Sequence, residues 1–124
     1  MGNALAAAAS ERQAVDEIEK ALELAPDSVS ALNNLARLLV SSSDPAVRDP
    51  TRAVALAEKA AQLAREPNAR IYHTLAAAYA GVGKTGEAIT AAERCSELAA
   101  ANGDKALADA AQHDLEIYRR SPPH

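Results

Sequence analysis

The 124-residue chain has no phenylalanine and no tryptophan, and its three tyrosines are its only aromatic residues. Aromatic side chains supply much of the bulk of a thick core, so neither a broad β-sandwich nor a deep globular core is expected. Other large apolar residues are scarce too. Apolar types make up 48% of the chain, but 32 residues are alanine, more than half of that share. A single cysteine leaves no internal disulfide framework and no multi-cysteine zinc site. Lys and Arg number 13 against 17 Asp and Glu, a formal charge of −4, and no long basic block is present. That balance speaks against nucleic acid as a partner. No run approaches the ~20 apolar residues of a membrane span, so direct membrane insertion is not expected. The start, Met1-Gly2-Asn3-Ala4-Leu5-Ala6, lacks the basic first segment of a signal peptide. Gly2 is followed by Ala6 where an N-myristoylation signal carries a hydroxyl. These features name no compartment, although they favour the cytoplasm for the segment as it stands.

The length argues for one domain. Alanine, leucine and glutamate are strong helix formers, so the composition points to an all-α protein whose small residues let helices pack closely. A repeat confirms that direction. Three stretches begin with Ala followed by Val or Ile, carry a small residue seven positions on and Leu ten positions on: Ala14 to Leu24, Ala53 to Leu63, and Ala88 to Leu98. Each is a helical stripe. A second pattern precedes two of them, Leu35-Ala36-x-x-Leu39 and Leu75-Ala76-x-x-Tyr79. Gly2-Asn3-Ala4-Leu5 looks like the tail of a third copy. Gly2 to Ala14 and Ala76 to Ala88 are both 12 residues, and Gly2 to Ala36 is 34. Ala36 to Ala53 is 17, so the middle copy carries five extra residues.

With these residues in register the chain resembles the tetratricopeptide repeat family, whose unit is two antiparallel helices with small residues at their crossing. Ala14, Ile18, Ala21 and Pro26 match the second half of a copy. Leu32, Leu35, Ala36, Leu39, Ala53, Ala57 and Ala60 match the middle one. Leu75, Ala76, Tyr79, Ala88, Ala92 and Cys95 match the last, with Ala76 in place of the usual Gly and Tyr72 in place of Trp. The resemblance implies an antiparallel helix-hairpin solenoid with a C-terminal capping helix. It divides the chain into a partial first repeat (2–28), a second repeat (29–68) with a loop insertion (42–50), a third repeat (69–101), a capping helix (104–119) and a tail (120–124).

Local signals fit these boundaries. Asp49-Pro50 supplies an N-cap followed by proline at the first helical position. Thr85 can cap the helix carrying Ala88. Asn102-Gly103 ends one helix, and Leu107, Ala111, Leu115 and Tyr118 form a stripe on the next. Ser10-x-x-Gln13 reads as a capping box and argues for a break at Ser10. The run Ala6 to Ala9 argues instead for one helix through residues 3–25. Both readings stand at this level.

No catalytic constellation emerges, and the chain is not expected to be an enzyme. His73, His113 and His124 share no catalytic or metal-binding spacing, and no cofactor or metal is expected. Gly81, Gly83 and Gly86 read as a turn between helices rather than a phosphate loop. Cys95 falls where the repeat needs a small buried residue. The insertion around Ser41-Ser42-Ser43-Asp44-Pro45-Ala46-Val47-Arg48-Asp49-Pro50 reads as a stiff loop, since each proline fixes its own φ and restricts the preceding Asp. Its functional alternative is a recognition loop at the solenoid edge.

The resemblance also implies a concave face lined by the first helix of each repeat. It would carry Asn3 from the truncated copy, Ser30, Asn33, Asn34 and Arg37 from the middle one, and Arg70, His73, Thr74 and Ala77 from the last. Such a surface can hydrogen-bond a peptide through its amides and pair with a carboxylate through Arg37 or Arg70. One subgroup of the family grips acidic C-terminal tails with two Asn and three cations. Asn3, Asn34 and Arg70 match its places, whereas Thr74 replaces a cation and one further position precedes the chain. The expected function is therefore a protein–protein interaction module that binds a protein, peptide or partner helix on its concave face. Two alternatives are a self-assembly module, with a homodimer through the N-terminal helix, and a regulatory domain attached to an enzyme in a parent protein.

Overall fold

A computed structural model of the chain describes residues 3–120, with side chains described from Ala9 onward. Among the described residues six helices follow one another: α1 (Asn3–Leu24), α2 (Val29–Ser41), α3 (Pro50–Leu63), α4 (Ala69–Gly81), α5 (Thr85–Ala101) and α6 (Lys105–Arg120). No strand occurs among the described residues, and none of their helices is long and apolar enough to cross a membrane.

Four helix starts are capped by side chains, of which only the cap at Asp49 is named from the sequence. Ser28 accepts from the Ala31 amide at 3.3 Å, Asn68 from Arg70 at 2.9 Å and Asp104 from Leu107 at 3.1 Å. Asp49 accepts from Arg52 at 3.1 Å, with Pro50 as the first helical residue of α3. These bonds satisfy amides that a helix start leaves without partners. Thr85 departs from expectation: it is already the first residue of α5, Lys84 holds the cap position, and no side chain caps that helix. Two helices end in the same way. Gly83 and Gly103 adopt φ of 81° and 74°. Lys84 N–H donates to Tyr79 C=O and Gly83 N–H to Ala80 C=O, while Asp104 and Gly103 do the same to Ala99 and Ala100. The paired bonds form Schellman motifs, in which glycine takes the left-handed position at least cost.

The first helix resolves the ambiguity around Ser10. α1 runs unbroken through it, so the capping box is not used, and Gln13 instead donates to Glu17 within the same helix. No hairpin forms within residues 3–24.

The helices pack as two layers. α2 packs on α3 and α4 on α5, making two hairpins, while α3 packs on α4 and α6 on α5. α2, α4 and α6 approach one another along one side, whereas α1, α3 and α5 stay apart on the other. The closer layer is therefore the concave one. Alanine makes the hairpins tight. Ala53, Ala57 and Ala60 on α3 are 0% exposed under α2, and Ala88, Ala92 and Cys95 on α5 are at most 1% exposed under α4. Leu35, Ala36, Leu75 and Ala76 meet them from the partner helices. α6 covers the end of the stack with Ala111 and Leu115 buried and Leu107 and Tyr118 half-buried, as its stripe predicts. The expected antiparallel helix-hairpin solenoid with a C-terminal capping helix is the observed architecture.

The insertion is built rather than loose. Asp44 Oδ1 accepts from Ala46 N–H, the Asp44 carbonyl accepts from Val47 and Arg48 N–H, and Arg48 Nη1 donates to the Val40 carbonyl. Val47 is 8% exposed and joins the core, and Arg12 of α1 bonds Asp44 Oδ2 at 2.7 Å.

Candidate functional site

The concave layer brings six of the expected site residues together. Asn33, Asn34 and Arg37 of α2 face Arg70, His73 and Thr74 of α4 across a hollow of about 180 Å³. Asn33, Asn34 and Arg70 continue into an adjoining hollow with Ser30 and Asn68. The α-helical period explains the set: residues three and four apart share a face, and the opposite face of each helix is committed to the hairpin. Ala77 is half-buried one turn beyond His73 and lines neither hollow. The side chain of Asn3 lies outside the described residues, and the hairpin expected to bring it to the groove is absent because α1 is one continuous helix.

The groove's polar groups differ in how far they are committed. Thr74 is buried, and its hydroxyl donates to the Arg70 carbonyl one turn back at 3.1 Å. It braces α4. His73 Nε2 lies 3.2 Å from Asp114 Oδ2, and an Arg70 guanidinium nitrogen lies 4.0 Å from Asp104 Oδ2. Arg37 has no ion pair among the described residues and is exposed. Asn33 Oδ1 is a buried acceptor with no hydrogen-bond partner among the described residues. An unpaired buried amide oxygen is costly.

Three residues of this surface escaped the sequence reading: Asn68, Asp104 and Asp114. Asp104 was visible only as the start of α6, and Asp114 as a polar residue next to the buried stripe. Which acid faces which cation depends on how α6 docks, and helical period alone does not fix that. Their presence changes the electrostatics. The surface is nearer balance than Arg37 and Arg70 alone would make it, because the two acids face Arg70 and His73. The match to acidic-tail clamps weakens accordingly: Thr74 is a structural hydroxyl, and Arg70 already faces a carboxylate.

The remaining candidates are structural. Cys95 is fully buried, and burial, reinforced by the negative charges of Asp114 and Asp104, pushes its thiol up to about 11. So raised a thiol is a poor nucleophile at neutral pH. Gly81 closes α4, Gly83 makes the turn and Gly86 lies inside α5. No group of three or more metal-ligating side chains gathers among the described residues.

Paired helices, alanine crossings and a polar concave layer define a helical-repeat protein. Residues 69–102, which hold α4 and α5, match the tetratricopeptide repeat family, and this hairpin is one such repeat. No curated protein and no solved structure matches the chain. Tetratricopeptide repeats are in general protein–protein interaction modules.

Proposed function

We propose that the chain binds a peptide or a partner helix along the groove formed by α2, α4 and α6. One observation carries this reading: Asn33, Asn34, Arg37 and Arg70 converge from two helices on one hollow, where a buried amide oxygen lacks a donor. The amides suit the backbone of a bound segment, and Arg37 suits a carboxylate on it. Asp104, just before α6, and Asp114 within it set an orientation, with acidic ligand residues at the α2 end and basic ones toward these two acids.

Arg37→Glu combined with Arg70→Glu should abolish capture of a partner with an acidic segment and leave helical circular dichroism unchanged, since both residues are exposed. Undiminished capture by the folded double variant refutes the groove reading.

A second reading, self-association through α1, is favoured by a specific contrast. Ala14, Ile18 and Ala21 occupy the positions that are at most 1% exposed on α3 and α5. On α1, Ala14 and Ile18 are only half-buried and Ala21 is exposed.

A further inference from the structure

The convex side carries a second groove, formed by α4 and α5 with Glu58 of α3 at one end. It encloses about 440 Å³ and is lined chiefly by Tyr72, Leu75 and Tyr79 of α4 and by Glu87, Ala91 and Arg94 of α5. At one end the Tyr79 hydroxyl donates to Glu58 Oε2 of α3 at 2.6 Å. Glu87 stands beside the same phenol. Burial first, then the bond to Glu58, then the charges of both carboxylates push Tyr79 up to about 12. At the other end the Arg94 guanidinium lies 6.0 Å from the centroid of the Tyr72 ring. Tyr72 and Tyr79 are seven residues apart, so the two ends are separated by roughly 10 Å along the helix.

The preceding repeat furnishes the equivalent groove differently. Counting from Ala53 and Ala88, Arg52 corresponds to Glu87 and Leu56 to Ala91; counting from Ala14 and Ala53, Glu19 corresponds to Glu58. Between α1 and α3, Arg52 reaches across to Glu19 Oε2 at 2.9 Å. Val47 of the insertion lines the hollow beside this pair. Between α3 and α5 the carboxylate is kept and the elements around it are changed. A carboxylate replaces the cation and faces a carboxylate, alanine replaces leucine, and the connection from Gly81 to Thr85 carries no insertion. Glu87 has no ion pair among the described residues. At the Tyr79 end the groove thus lacks the cation that pairs with the carboxylate in its neighbour, and along its length it lacks the leucine.

We infer that the convex groove binds an arginine-bearing segment of a partner polypeptide, with the guanidinium between Glu58 and Glu87 and a small or branched aliphatic residue against Leu75 and Ala91. Arginine suits this end better than lysine because its planar head can pair with carboxylates and stack on Tyr79. Arg94 sets the polarity of the segment by favouring an acid at the far end.

The probe is the peptide acetyl-Asp-Pro-Ala-Val-Arg-amide, which repeats the acid, aliphatic and base order of residues 44–48. Titrated into the ¹⁵N-labelled full chain, it should shift the amide resonances of Tyr79, Glu87, Thr90 and Arg94. Glu58→Gln with Glu87→Gln should weaken binding by about tenfold, as should Arg→Gln in the peptide. Ala91→Leu, which restores the filler present at Leu56, should abolish it with circular dichroism unchanged. Arg37→Glu with Arg70→Glu should leave it intact, so this inference stands or falls apart from the concave-face reading. Absence of shifts, shifts confined to α2 and the concave face of α4, or full affinity in the Glu58/Glu87 variant would each overturn it.

Discussion

Gly81 and Gly86 lie five residues apart in opposite circumstances. A Cβ on Gly81 would stand 2.8 Å from Cβ of Pro50, part of a ring on the first turn of α3 that cannot swing aside. Gly81→Ala therefore sacrifices the helical gain of alanine and should cost about 1–2 kcal/mol. Nothing lies within 4 Å of the same atom on Gly86, inside the first turn of α5. Gly86→Ala should stabilise by about 0.5–1 kcal/mol, mostly by restricting the unfolded chain. Denaturant midpoints moving in opposite directions would confirm both, and a Gly81→Ala midpoint at or above wild type would show that Pro50 yields. The sequence offers these glycines as one turn, with Gly83 between them. Only Gly83 needs the left-handed backbone, and the approach of Pro50 comes from a residue 31 positions earlier. Residues whose role is set by their own helix, such as Ala76 and Cys95, were legible; a residue set by a distant one was not. Asp114 belongs with Gly81 in this respect, since its role depends on His73.

At the scale of elements, α1 shows why a local signal can lose. Ser10 and Gln13 make a good capping box, but a break there must be repaid by packing a preceding helix. Before Ser10 only Leu5 among Ala4 to Ala9 is large, too little apolar surface to hold a second helix against α1. Alanine propensity then carries the helix straight through. The insertion shows the converse. Proline and aspartate mark it as a stiff loop, yet its attachment to α1 through Arg12 and Asp44 lies 32 residues away in sequence and is not visible there. The Ala46 amide and, behind it, the Arg12 guanidinium hold the Asp44 carboxyl below its ordinary 3.8. A carboxyl so lowered stabilises the fold above its unfolded value and loses that contribution as pH falls through the folded one. The melting temperature of wild type should thus exceed that of Asp44→Asn at pH 7, and the difference should close below about pH 3.8. An equal gap at pH 7 and pH 2.5, measured by circular dichroism, would show that the charge is not what ties the loop to α1.

At the scale of the whole molecule, the two ends of the stack are finished differently. α6 closes its end with a polar outer surface and the ion pair of Arg119 with Glu93 at 3.0 Å, as a terminal repeat element must for solubility. α1 has no such finish among the described residues. Val15, Ile18 and Leu22 rest on α2, but the flank carrying Ala21 and Leu24 is open, and Leu24 is 90% exposed. On α3 and α5 that flank is where the first helix of the hairpin lies. Small residues there let another helix approach closely, and a second α1 related by a two-fold axis offers the same stripe in return. Self-association through this flank should appear as a mass of twice 12.9 kDa at micromolar concentration, measured by light scattering after size exclusion. Ala21→Glu should return the chain to monomer without unfolding it, because the residue is exposed. Ile18→Glu is the poorer test, since Ile18 also holds α1 to α2. Glu116→Lys on α6 should leave the dimer intact. A mass of 12.9 kDa at every concentration, or a dimer that Ala21→Glu leaves intact, would eliminate α1 as the contact.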